Sequence, residues 1–201
     1  MHLPFLQKNR DCRPFRPPLA KSGAVPAFQR PVKRATLTFA IILSAAAVFA
    51  VTPRPMADLP IPMVNSKPLD LKQFRGKWVL MAVISQECPA CIASIEILNR
   101  AQKDFGPRGL QVVGAVGDPN AQYSMGPFVQ RYRPIFPLGY VNQDQIVRLG
   151  DFDKSAPHAY VPIFIFIDRK GVVRQQVSGN EPFFTNEEAN LRAALTSLLT
   201  K

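Results

Sequence analysis

Three long apolar runs constrain this chain more than any other feature. They are Trp78–Ser85 (WVLMAVIS), 110–117 (LQVVGAVG) and 163–168 (IFIFID). Each has strand length and is rich in β-branched residues. Each is apolar on both side-chain parities, which a strand tolerates only when both of its faces are covered. The stretches between them have helical periodicity. After the first run, Ile92, Ile95, Leu98 and Phe105 recur at near-helical spacing, and Gly106-Pro107 ends that helix. Asp118-Pro119 opens a second helix containing Phe128, Val129 and Tyr132. Residues 136–141 form a short strand and 142–150 a short helix. Asp168–Gly171 (DRKG) is a tight turn, with 172–177 as the antiparallel partner of the third run. Thr185 and Glu188 have capping-box spacing. Ala194, Leu195, Leu198 and Leu199 give the last helix its apolar stripe. The order predicts an α/β fold: βαβ crossovers around a central mixed sheet, helices on both faces, and the terminal hairpin as an antiparallel edge.

The charge is unevenly placed. The 201 residues carry +11, from 25 Lys or Arg against 14 Asp or Glu. Residues 1–34 hold eight of the basic residues and one acid, so the body is only mildly basic. That argues against a nucleic-acid-binding surface on the folded part. Residues 35–51 (ATLTFAIILSAAAVFAV) follow with no charge at all. A basic flank before an apolar run is an export pattern. The segment is read as an N-terminal apolar helix, either a signal peptide cleaved near Ala50 or Ala57 or a membrane anchor. The location implied is extracytoplasmic, with contact to the membrane through 35–51 if that segment is retained. Cys12 lies before it and is expected to take no part in the chemistry below. Residues 52–62, with four prolines, read as a linker, and the domain is expected over 63–201.

The chemistry is concentrated directly after the first strand, in Ser85–Ile92 (SQECPACI). Cys88 ends a strand and opens a helix, where unpaired N–H groups and the helix dipole favour a thiolate. Pro89 suits the first helical position, where a missing N–H leaves nothing unpaired. Cys91 lies at i+3 on nearly the same face, so the two sulfurs come within disulfide reach. Three readings follow. A zinc site needs four ligands, and the remainder of the exported part supplies only His158 and carboxylates. A structural staple would close a loop of a few residues and stabilise little. A redox pair needs a reactive Cys88, exposed to partners, and a shielded Cys91 that resolves the mixed disulfide. Glu87, next to Cys88, would raise the thiol pKa if it faced the sulfur, or else points to solvent.

These residues resemble the thioredoxin superfamily, and within it the exported TlpA-like and ResA-like thiol-disulfide oxidoreductases. The resemblance runs over roughly 63–201. It rests on LDLKQFRGKWVLMAVI leading into Cys-Pro-Ala-Cys, and on YVPIFIFIDRKGVV about seventy residues later. It implies a thioredoxin-like fold and a Cys88–Cys91 dithiol/disulfide as the only redox centre, without metal or separate cofactor. It implies protein thiols and disulfides as partners, fed by a membrane electron donor in cytochrome or cofactor maturation. It also implies a cis bond at Val161–Pro162 facing the pair, where the residues alone suggest an ordinary trans proline starting a strand. Val161 and Pro162, with Pro89 and Ala90, would then contact a substrate strand by β-augmentation. The chain departs from the family in several places. Glu87 replaces a tryptophan, Ala82 and Ser94 stand where acids are usual, and Glu96 stands where a helix proline is usual. Glu87 and Glu96 are therefore candidates for tuning the thiols. Ser85-x-x-Cys88 also echoes a peroxiredoxin motif, although Met81 replaces its proline. SQECPAC is similar as well to redoxin-like accessory proteins of methylamine dehydrogenase maturation. A thiol peroxidase and a non-catalytic thioredoxin-like binding module remain as alternatives, and His158 either lines the site or lies on a surface loop.

Overall fold

A computed structural model describes residues 53–64, 66–153 and 159–200, together with the backbone of Leu6–Gln7. The apolar segment 35–51, Cys12 and His158 lie outside the described residues, as do the expectations attached to them. Among the described residues, no helix is long and apolar enough to cross a membrane.

The strands are β1 (Leu6–Gln7), β2 (Arg54–Pro55), β3 (Ile61–Met63), β4 (Ser66–Leu69), β5 (Trp78–Ile84), β6 (Leu110–Val116), β7 (Leu138–Tyr140), β8 (Ala159–Tyr160), β9 (Ile163–Ile167) and β10 (Val172–Ser178). The α-helices are α1 (Pro89–Phe105), α2 (Ala121–Tyr132), α3 (Gln143–Gly150) and α4 (Glu187–Leu199). Eight strands form one mixed sheet in the order β2-β10-β9-β5-β6-β7-β3-β4, and β1 pairs separately with β8. The three apolar runs are its centre. Every residue of β5 and of β9 is buried, so both sheet faces are covered there, as the unbroken apolar runs require.

Strand direction differs from the simplest crossover reading. β5, β6 and β7 run parallel to one another, but β3 pairs antiparallel with β7 and β9 antiparallel with β5, with Val83 opposite Ile163. Two helices and the short strands β7 and β8 separate β6 from β9, which lies on the far side of β5. The turn after β9 is as expected. Gly171, at φ +79, donates its N–H to Asp168 O at 2.8 Å and permits the left-handed step.

Two further expectations are corrected. The stretch read as a linker contains β2, which extends the sheet beyond β10, and it contributes Leu59 and Ile61 to the core. Prolines suit such edge strands, where their missing N–H costs no ladder bond. The capping box at Thr185 and Glu188 does not form. Thr185 lies inside a 3₁₀ turn, Pro182–Asn186, and Glu188 bonds instead to Arg100. A capping box does form at α3, between Asn142 and Gln145.

Candidate active site

The site stands at the carboxyl end of the two central parallel strands. β5 and β6 run in register to Ile84 opposite Val116. The residues that follow, Ser85–Glu87 on one side and Gly117-Asp118 on the other, are therefore neighbours in space. Gly117 N–H extends the ladder by one bond to Ile84 O, at 2.9 Å.

Cys88 is the N-cap of α1. Its backbone is extended, and its sulfur accepts the Cys91 N–H at 3.4 Å. Pro89 takes the first helical position. Opposite stands the loop between β8 and β9, with a cis Val161–Pro162 bond. The Val161 carbonyl lies 4.0 Å from the Cys88 sulfur, where the thiol donates to it. The expectation of an exposed Cys88 is corrected. Its exposure is 0 %, because the sulfur sits between its own helix turn and the Val161 carbonyl. Glu87 and Pro89 on either side of it are exposed, and Ala90 is half-buried.

Both cysteines are free thiols, and they are driven in opposite directions. The Cys88 thiol is held down to about 6. The main cause is the hydrogen bond from the Cys91 thiol to the Cys88 thiolate. Backbone N–H groups of Cys91 and Ala90 add to it, while burial and the charge of Asp118 oppose it. The Cys91 thiol is pushed well above the ordinary range, first by burial, then by Cys88, with Asp118 adding repulsion. One thiolate and one neutral thiol on a single helical turn can give up two electrons in two steps.

Glu87, beside Cys88 in the chain, is exposed. Glu96 is exposed on α1 and pairs with Arg100 at 3.8 Å. An acid whose charge acts on both sulfurs is Asp118, which the sequence presents only as a helix opener. Its signal was its place directly after the second apolar strand, which in a parallel pair sets it beside Ser85. A second acid also escaped notice. Glu187 of α4 reaches Ser94, one turn beyond Cys91 on α1, at 2.9 Å. Burial raises its carboxyl to about 7.

Residues 53–176, more than half of the chain, match the AhpC/TSA family. The chain belongs to the AhpC/TSA family. Its fold within that family is thioredoxin-like. A thioredoxin-family thiol:disulfide interchange protein from Chlorobium tepidum superposes with a TM-score of 0.57 at 20% identity, over 72% of this chain and 98% of that one. A secreted disulfide oxidoreductase from Mycobacterium tuberculosis gives 0.56 at 19% identity, over 70% and 96%. By sequence, the chain is 23% identical over 118 residues to the thiol-disulfide oxidoreductase ResA of Bacillus cereus, which is 59% of this chain. The match spans 64% of that relative's length.

Proposed function

We propose that this protein is a thiol-disulfide oxidoreductase whose Cys88–Cys91 pair exchanges electrons with cysteines of other proteins. One observation carries the reading. A low-pKa thiol caps a helix beside a second thiol of raised pKa, and the Val161 carbonyl lies 4.0 Å from the first sulfur.

The chemistry balances with no further group. The Cys88 thiolate attacks one sulfur of a substrate disulfide, and the other sulfur leaves as a thiolate that takes up a proton. Cys91 then loses its proton and attacks Cys88. The Cys88–Cys91 disulfide forms, the mixed disulfide breaks, and the second substrate thiol departs. Two electrons have passed from the dithiol to the substrate. The raised Cys91 pKa keeps that thiol neutral and in reserve until Cys88 is engaged. The substrate strand runs along the Val161 backbone, against Pro162, Pro89 and Ala90. Because Cys88 is covered, docking must displace the Val161 carbonyl from the sulfur. Export by residues 35–51, reduction by a membrane electron donor and a role in cytochrome or cofactor maturation complete the proposal. The basic flank before residues 35–51 and the secreted disulfide oxidoreductase among the similar structures support export; the donor and the maturation role rest on the family resemblance alone.

Insulin reduction with dithiothreitol is the test. Wild type should accelerate it, and Cys88→Ser should abolish the acceleration. No acceleration by wild type would leave a binding module in place of an enzyme. The reduction potential then decides direction, with about −270 mV marking a reductant and about −120 mV an oxidant. The echo of a peroxiredoxin motif at Ser85 favours a second reading, peroxide reduction. Against it, the Ser85 hydroxyl donates to Asp118, and the charge acting on Cys88 is negative. Peroxide consumption measures that activity directly.

A further inference from the structure

Asp118 connects the strand β6 to the lead-in of the dithiol. Its carboxylate accepts the Ser85 hydroxyl on one oxygen at 2.6 Å and the Gln86 N–H on the other at 2.5 Å. Ser85 Oγ in turn accepts the Glu87 N–H at 3.2 Å. The Gln86 side chain accepts the Ser124 hydroxyl of α2 at 2.5 Å. The three residues before Cys88 are thus held in sequence to the loop after β6 and to α2. Cys88 N–H closes the same turn on Ser85 O at 3.3 Å. Each of these bonds fixes backbone immediately ahead of the N-cap, where a small rotation would take the sulfur off the helix axis and away from the Cys91 N–H.

We infer that Asp118 is a positioning residue of the dithiol, one that holds Ser85–Glu87 so that Cys88 caps α1 and whose charge makes the pair a stronger reductant. The inference rests on the redox reading above for its biological meaning, but not for its test. The sign follows from linkage. A negative charge near the sulfurs destabilises the thiolate. The dithiol form is then less stable relative to the disulfide, and the couple gives up electrons more readily. Among the groups that act on the two sulfurs are each other, Asp118, the Val161 carbonyl and the backbone N–H groups of Ser85, Ala90 and Cys91. Glu87 is the exposed neighbour of Cys88.

Asp118→Asn separates charge from geometry. Its amide oxygen can accept the Gln86 N–H while its NH₂ donates to Ser85 Oγ. The pH profile of Cys88 alkylation should move to lower pH by about half a unit or more. The dithiol–disulfide equilibrium against glutathione should become roughly threefold more oxidising. Asp118→Leu removes the charge and both bonds, so its alkylation midpoint should lie above that of Asp118→Asn; an equal midpoint would overturn the positioning role. If Asp118→Leu fails to fold, Asp118→Asn still decides. An unchanged profile and equilibrium in Asp118→Asn, or shifts of the opposite sign, would overturn the inference. These readouts need no protein substrate. A wild type inactive on insulin with a shifted Asp118→Asn profile would sink the proposed function and leave the role of Asp118 standing.

Discussion

Cys88 and Cys91 are three residues apart and chemically equivalent as free amino acids, yet the fold drives their thiols apart. The difference is one of position within a single turn. Both are buried, but Cys88 receives hydrogen bonds at the first turn of the helix, while at Cys91 burial dominates. Alkylation of Cys88 in wild type should therefore be half-maximal near pH 6. In Cys91→Ala the midpoint should rise toward the ordinary thiol value, because the largest stabilising contribution is the Cys91 thiol itself. A midpoint that stays put would show that the helix end alone supplies the effect. Glu187 makes a second prediction at this scale. Ser94 Oγ lies 3.0 Å from the Ala90 carbonyl and 2.9 Å from Glu187 Oε2. The Ser94 hydroxyl is the donor toward both oxygens, so its one proton is shared between the Ala90 carbonyl and the Glu187 carboxyl. Glu187 Oε1 is buried with no hydrogen-bond partner among the described residues. Its pKa is raised from 4.5 to about 7, chiefly by burial, with Glu188 adding repulsion and Ser94 opposing. Between those values the native state binds more protons than the unfolded chain, so stability falls as pH rises through the window. Glu187→Gln should remove that slope. It should be worth roughly 3 kcal/mol at pH 8 and little at pH 4, from 1.36 kcal/mol per unit. Urea melts at the two pH values measure it.

At the scale of elements, the end of β10 matters as much to the site as α1 does. Gly179 follows β10 and donates its N–H to Tyr160 O at 2.9 Å. A Cβ at Gly179 would lie 2.4 Å from Val161 O and 2.7 Å from Val161 C. Both are backbone atoms of the loop that faces Cys88, so they cannot yield by a side-chain rotation. Gly179→Ala should displace that loop. Overpacking of this kind costs about 1–3 kcal/mol, and thiol exchange with a protein disulfide should fall further than exchange with a small disulfide. Equal loss on both substrates would show that the loop has no part in docking. The helix α4 is held by a different balance. Leu191 and Leu195 are buried, and the exposed ion pairs Arg100–Glu188 and Arg192–Asp104 tie it to α1. Exposed pairs contribute little, so Leu195→Ala, at about 2–5 kcal/mol, should destabilise in a denaturant melt far more than Arg192→Ala.

For the molecule as a whole, the sheet is closed by a residue that precedes the expected domain. Arg54 of β2 donates to Leu149 O at 2.9 Å and to Gln176 Oε1 at 3.0 Å, tying β2 to α3 and β10. Arg54→Ala should cost about 1.5–3 kcal/mol, the range for charged hydrogen bonds, read as a lowered denaturant midpoint. An unchanged midpoint would restore the boundary near residue 63. Much of the architecture was legible beforehand, since β5, β6 and β9 are continuous apolar runs and only a two-faced sheet interior accommodates such runs. The start of α1 was legible from Cys-Pro, because both residues suit the first turn through local backbone chemistry. Other features were not legible. The antiparallel sense of β9, the place of β2 in the sheet and the burial of Cys88 depend on how distant segments meet. So do the contacts of Asp118 with Ser85 and of Glu187 with Ser94, across 33 and 93 residues. Hydrophobic periodicity and capping are written within a few residues of where they act. Electrostatics at a buried sulfur is decided by whichever charges the fold brings near it, however far along the chain they lie.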